Sequence, residues 1–205
     1  MRAIETIKNI WKIEDLRKRI ITTILLVLVY RAGTYVVLPG IDPQFLTQLR
    51  AQTSGGLMQL LDMFSGGAFS NASIFALGIM PYITASIVIQ LLGMALPYFQ
   101  KLQREGESGR RKLNQYTRYL TVFILLIQGP TYLVNLSVQM GGAFPTDILF
   151  TISSTIILTA GSMFIMWLGE RITDRGIGNG ISFIILVGII ARLPQSPVQI
   201  GRAHV

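Results

Sequence analysis

Few side chains in this 205-residue chain could make or break a bond. Ser162 follows Gly161 in an apolar run and superficially resembles a serine nucleophile. A serine needs an activating base within reach. The sole histidine, His204, sits in the terminal tail, and no pair of carboxylates falls within an apolar run. With no cysteine there is no disulfide, no thiolate metal site and no cysteine nucleophile. Gly176-Ile177-Gly178-Asn179-Gly180 has the wrong glycine spacing for a dinucleotide fingerprint, and no strand precedes it. It reads better as a tight turn into a helix, with Asn179 as the cap. An enzyme is not expected, and no catalytic residue, cofactor or metal is assigned.

The remaining polar residues suit contact and passage. Arg31 lies about 18 Å along an apolar run from Arg19, at about 1.5 Å per residue. A charge at such depth costs about 2.5–3.5 kcal/mol or more unless it snorkels or finds a partner. Support of a helix bundle, with a reach towards Tyr35, is the expected role. Thr84, Ser86 and Gln128 also place polar groups in apolar runs. Ile79 and Ile83 are four apart and share a helical face, and Ile181 and Ile185 repeat that spacing. Such pairs are most often ordinary packing.

These residues need a membrane framework. The chain is 51% hydrophobic and 14% charged, well below the roughly 25% charged of soluble domains. Five crossings are predicted: Ile20–Leu38, Ser73–Leu96, Tyr119–Val138, Ile148–Leu168 and Gly180–Pro194. Met1–Arg19 is a charged arm, and no small-residue cleavage site of a signal peptide follows the first apolar run, so that run is expected to stay as a span. Pro81 is expected to kink the second span. Between the first two spans, Leu57 to Phe64 is apolar but only about two turns long, with Gly55-Gly56 before it and Ser65-Gly66-Gly67 after it. A half-length helix hinged onto a full span suggests a re-entrant element, which needs burial in protein or a watery cavity. The alternative is an amphipathic helix on the outer surface, with Gln59 and Asp62 facing water.

Basic residues alternate from loop to loop. Arg2, Lys8, Lys12, Arg17, Lys18 and Arg19 mark the arm, while Lys101, Arg104, Arg110, Arg111, Lys112 and Arg118 mark the loop after the second span. Arg171 and Arg175 follow the fourth span. By contrast Pro39–Asn71 has only Arg50, and Gln139–Asp147 has no basic residue. This places the N-terminus and both basic loops in the cytoplasm. Arg110-Arg111-Lys112 serves either topology and lipid headgroups or a docking partner. An odd, open set of five spans hints at a piece of a larger bundle.

Three long strings carry a family resemblance: Ala72–Ser86 (ASIFALGIMPYITAS), Arg104–Tyr119 (REGESGRRKLNQYTRY) and Met166–Ser182 (MWLGERITDRGIGNGIS). With Leu38-Pro39-Gly40-Ile41-Asp42 they extend over essentially the whole chain. It resembles the SecY/Sec61 family, on its bacterial side: the protein-conducting channel of the Sec translocon. The resemblance implies an all-α membrane protein of the inner (plasma) membrane, ten spans in two inverted halves, of which residues 1–205 are the N-terminal half. It implies a pore ring from Ile79, Ile83, Ile181 and Ile185, whose aliphatic collar would exclude water and ions by dewetting. It implies a plug at about 57–67, with Leu57, Leu60, Leu61, Met63 and Phe64. It places Thr84, Ser86 and Gln128 near the lateral gate, although interhelical hydrogen bonding explains them equally well. The basic residues Arg104, Arg110, Arg111 and Lys112 would dock a cytoplasmic partner. Implied partners are SecE and SecG, SecA or the ribosome, a signal peptide or nascent chain, lipid, and the C-terminal half. A secondary-transporter half would fit inverted spans, but Arg31 is the one group at depth to couple ions. A structural membrane subunit is the third alternative.

Overall fold

The computed structural model describes residues 13–41, 46, 56–139 and 147–192. The arm to Lys12, Asp42, Arg50, the end of the fifth span at Pro194 and His204 lie outside the described residues, as does the side chain of Leu57. Seven helices are described: α1 (Glu14–Gly33), α2 (Gly56–Phe64), α3 (Met80–Ala95), α4 (Pro97–Arg104), α5 (Glu107–Gln139), α6 (Ile148–Arg175) and α7 (Gly180–Arg192). Among the described residues one antiparallel bridge joins Val37 to Ser73.

Local chemistry explains most boundaries. α1 opens with Glu14 and Asp15 and closes with Arg31, matching charge to the helix dipole. Lys18 pairs with Glu14 at 2.8 Å and Arg19 with Asp15 at 3.4 Å, each one turn apart. At the start of α7, Asn179 Oδ1 accepts from the Ile181 and Ser182 N–H groups at 3.1 and 3.3 Å, the expected cap.

The second span differs from expectation. Ser73 pairs with Val37, residues 74–79 are turns, and helix begins only at Met80. The bridge from Ser73 to Val37 and the positive φ of Gly78 (57°) hold this stretch out of a helix. Pro81 therefore lies in the first turn of α3, where its missing N–H is no loss, and it starts the helix rather than kinking it. At the other end Leu96 is extended, as the residue before a proline prefers. Pro97 then opens α4, and the two helices bend by 102°. The expected basic loop is thus mostly helical: α4, a turn at Glu105-Gly106, and the start of α5.

α5 and α6 are each long and apolar enough to cross a membrane, and the bent pair α3–α4 makes a third candidate. α7 is apolar but 13 residues long. α1 spends its first turns on charge. α5 packs against α3 and α6, while α6 also meets α1 and α7, and α2 lies on α7. Small residues allow close approach: a Cβ on Gly161 of α6 would overlap the Ile74 carbonyl, and one on Gly180 the Gly169 carbonyl.

Residues 65–79 run through the middle of this bundle. Phe69, Ala72 and Ala76 join one apolar cluster with Tyr132, Leu136 and Leu158. Ala68, Phe75 and Ile79 join a second with Tyr30, Ile165, Leu168, Ile172 and Ile184. The outer faces remain apolar and uncovered, with Ile24, Leu28, Phe123, Ile127, Ile152 and Ile156 all exposed. A bilayer or further protein is the environment such faces need.

Candidate channel throat and plug hinge

The sequence Ser65-Gly66-Gly67 ends α2 with a Schellman turn. The Gly67 N–H donates to the Asp62 carbonyl at 2.9 Å and the Gly66 N–H to the Met63 carbonyl at 3.1 Å. Gly66 has φ +64°, which glycine adopts without steric penalty. Side chains lock the turn to Phe69 and Ser70. Ser65 Oγ accepts from the Phe69 N–H at 3.0 Å, and the Asp62 carboxylate accepts from the Ser70 N–H at 2.8 Å. Asp62 is buried while Leu60 and Phe64 are exposed. This overturns the surface-helix alternative for Asp62: the carboxylate faces inward because it closes the turn.

α1 and α7 hold this hinge from two sides. Tyr30 Oη donates to the Ser65 carbonyl at 3.2 Å, and Arg31 Nη1 donates to the Gly66 carbonyl at 2.9 Å. The Arg31 guanidinium also lies 5.8 Å from the Tyr35 ring centroid. The Gly66 backbone presses on Gly188 of α7, where a Cβ on Gly66 would come within 3.1 Å of the Gly188 Cα.

The four isoleucines share the second apolar cluster, to which Tyr30 and Ala68 beside the hinge also belong. Ile79 is buried in the second apolar cluster, and Ile83, Ile181 and Ile185 pack against it, half-buried. Ile79 caps α3 rather than lying in it, yet the Ile83 N–H donates to the Ile79 carbonyl at 3.1 Å, so the pair keeps one face. A cavity of about 300 Å³ opens beside residues 65–79, the connector from α2 to α3, on the side of the first apolar cluster. Thr84 and Gln128 both line it, with Leu61, Ser65, Thr131 and Asn135. Ser86 does not. Thr84 Oγ1 donates within its own helix to the Met80 carbonyl at 3.1 Å, and Ser86 Oγ accepts from Gln90 at 3.5 Å.

The basic residues flank the turn at Glu105-Gly106. Arg104 ends α4, and Arg110, Arg111 and Lys112 sit in the first turns of α5, all exposed. Successive helical residues rotate by about 100°, so the three radiate around the helix rather than forming one surface. Ser162 Oγ is buried and has no hydrogen-bond partner among the described residues.

A family profile described as SecY matches residues 73–203, well over half of the chain. The chain belongs to the SecY family. It is 48% identical over 185 residues to the "Protein translocase subunit SecY" of Escherichia coli strain K12, covering 89% of this chain and 42% of that protein. It is 46% identical over 196 residues to the protein of the same name from Buchnera aphidicola subsp. Schizaphis graminum, covering 94% of this chain and 45% of that one. The chain thus spans less than half the length of these SecY relatives. Among solved structures, it superimposes on a chain of "Sec61 in the Canine ribosome-channel complex from the endoplasmic reticulum". The TM-score is 0.59 at 18% identity, covering 84% of this chain and 36% of the other. That likeness places the two in one fold.

Several features of this SecY-family chain leave no mark in its sequence. Nothing local singles out Tyr30 and Ser65, because a bond between residues 35 apart makes no short-range pattern. Arg118 and Glu170 form a two-point ion pair across α5 and α6, at 3.2 and 2.7 Å. Four rings also stack in a column: Tyr30 on Phe75 (centroids 6.3 Å), Phe75 on Phe164 (6.0 Å) and Phe164 on Trp167 (5.7 Å). Arg171 closes it, 5.4 Å from the Trp167 ring centroid.

Proposed function

We propose that this chain is the N-terminal half of the central subunit of a protein-conducting channel. It would pass unfolded secretory proteins across the bacterial inner membrane and membrane proteins sideways into lipid. Membership of the SecY family supports this reading. The observation that carries it is the convergence of Ile79, Ile83, Ile181 and Ile185 in one apolar cluster beside the α2 hinge. A collar of aliphatic side chains excludes ions by dewetting, yet offers a passing chain no fixed partner. α2 then acts as the plug. Its Leu60 and Phe64 are uncovered by this half and available to seal against the other.

All five spans belong to this proposal, with the N-terminus and residues 100–118 cytoplasmic. Thr84 and Gln128 would face the lateral gate, where a signal peptide enters. Ser86 stands apart from their cavity and is the weakest member of that set. SecE and SecG would cover outer faces in the membrane, and SecA or the ribosome would dock near Arg104, Arg110, Arg111 and Lys112. A transporter half is less favoured, because Arg31 is already engaged by the Gly66 carbonyl.

The test is ion leakage. In a channel completed with the length that the relatives carry beyond this chain, Ile79→Gly with Ile83→Gly is expected to raise idle conductance in a planar bilayer. Unchanged conductance at normal expression would reduce these isoleucines to packing. Failure of the completed wild-type channel to translocate a secretory protein in proteoliposomes supplied with its energy-providing partner would sink the functional reading.

A further inference from the structure

The plug half-helix ends on carbonyls that its own turn leaves over. Asp62 and Met63 carbonyls are taken by the Schellman turn. The Ser65 carbonyl receives the Ala68 N–H at a long 3.3 Å, and no backbone N–H among the described residues reaches the Gly66 carbonyl. Both are reached from α1 instead, by the consecutive side chains Tyr30 (3.2 Å) and Arg31 (2.9 Å). A helix C-terminus carries partial negative charge, so a guanidinium there gains electrostatic energy as well as a hydrogen bond. Among the described residues Arg31 makes no ion pair, and a cation at membrane depth persists only where it is engaged or reaches water.

We infer that Arg31 is a positioning residue for the plug: with Tyr30 it clasps the Ser65 and Gly66 carbonyls and thereby sets how often the idle channel stands open. The inference rests on reading α2 as the plug. It assigns the clasp to α1, an element with no member in the isoleucine collar. It also explains why a charge is kept in this run. A neutral side chain could fill the space, but it could not hold a carbonyl at the negative end of a short helix so strongly.

Idle conductance of the completed channel in planar bilayers is the readout. Arg31→Met keeps the length and removes the donor, and should raise the idle open fraction about tenfold, the scale of a lost charge-assisted hydrogen bond. Tyr30→Phe removes one neutral bond and should raise it roughly threefold. Arg31→Lys keeps a charged donor and should fall between wild type and Arg31→Met. These two milder variants carry the test if Arg31→Met does not assemble. The same substitutions in a channel lacking residues 57–64 should add nothing, because a clasp with no plug to hold is silent. An Arg31→Met leak that persists undiminished on top of the plug deletion would overturn the inference, making Arg31 a general support of the bundle. Wild-type conductance from all three substitutions, in a channel that does leak when residues 57–64 are deleted, would overturn it too. If the deletion alone left conductance at the wild-type level, the plug reading itself would fail and the clasp with it.

Discussion

Before α3 the chain runs through residues 65–79, where Ala68, Ala72 and Ser73 have no exposed surface at all. After α3 it turns by 102° at Leu96 into α4, where Tyr98, Lys101 and Arg104 face outward. Both segments break a helix: the inner one contains the positive-φ Gly66, Gly67 and Gly78, and the outer one runs through α4 to the positive-φ Gly106. They differ in what satisfies the backbone. In the inner break partners come from protein: the Leu38 N–H meets the Ala72 carbonyl and the Ile74 N–H the Val36 carbonyl, each at 2.9 Å. Irregular backbone at membrane depth survives on such terms. In the outer break water can do the same work. The inner break should therefore be sensitive to shape, and the outer one to charge.

The largest expected effect is on the inner side. Gly161→Val drives a side chain into the Ile74 carbonyl. Overpacking of a tight interior costs about 1–3 kcal/mol, occasionally more. A clear drop in thermal midpoint of the detergent-purified protein, with loss of folded yield, is expected. A midpoint equal to wild type would mean that α6 and the connector are not closely packed, and the contrast would lose its inner half.

Gly106→Ala sharpens the other side. Gly106 has φ +72° but nothing within 4 Å of where a Cβ would stand. Backbone strain alone remains, about 1 kcal/mol. A small shift in midpoint is expected, well below that of Gly161→Val. An equal or larger shift would show the outer turn to be as constrained as the inner one.

The smallest effect on stability should come from the basic residues. Replacing Arg110, Arg111 and Lys112 together by glutamine, then by glutamate, leaves no cavity, because all three are exposed. Thermal midpoints should stay close to wild type. Affinity for a cytoplasmic partner should fall from wild type to glutamine to glutamate, with the gaps closing as salt rises. Equal affinities at low salt would leave this segment as a topology signal only.

Legibility in the sequence divides along the same line. The third and fourth apolar runs, the stop at Pro97 and the Asn179 cap rest on local patterns: α5 and α6 contain those two runs whole, α3 ends before Pro97, and Asn179 caps α7, whereas the first run leaves its helix at Gly33 and the second enters one only at Met80. The half-helix too is readable from its glycine borders. The inner connector is not, because its apolar composition is that of a span. Ser73–Ile79 reads like the start of a helix, and only pairing with Val36 to Leu38, distant in sequence, turns it into buried irregular chain. For the same reason Pro81 looks like a kink when only its neighbours in sequence are considered. The isoleucine pairs are visible as two spacings, but their meeting in one cluster is a tertiary fact. Charge alone makes Asp62 look water-facing, whereas its partner is the Ser70 N–H eight residues on.

The ring column from Tyr30 to Trp167 has an optical consequence. The chain has two tryptophans, and the other, Trp11, lies in the N-terminal arm outside the described residues. With Trp11→Phe, the tryptophan emission of these 205 residues would come from Trp167. That indole stacks on Phe164, which stacks on Phe75 of the connector, which stacks on Tyr30 of the clasp. A displacement of the connector would unstack the column at Phe75 and change the surroundings of the fluorophore. The fold thereby carries a built-in, label-free reporter, in which the colour and lifetime of one indole track the buried hinge in real time.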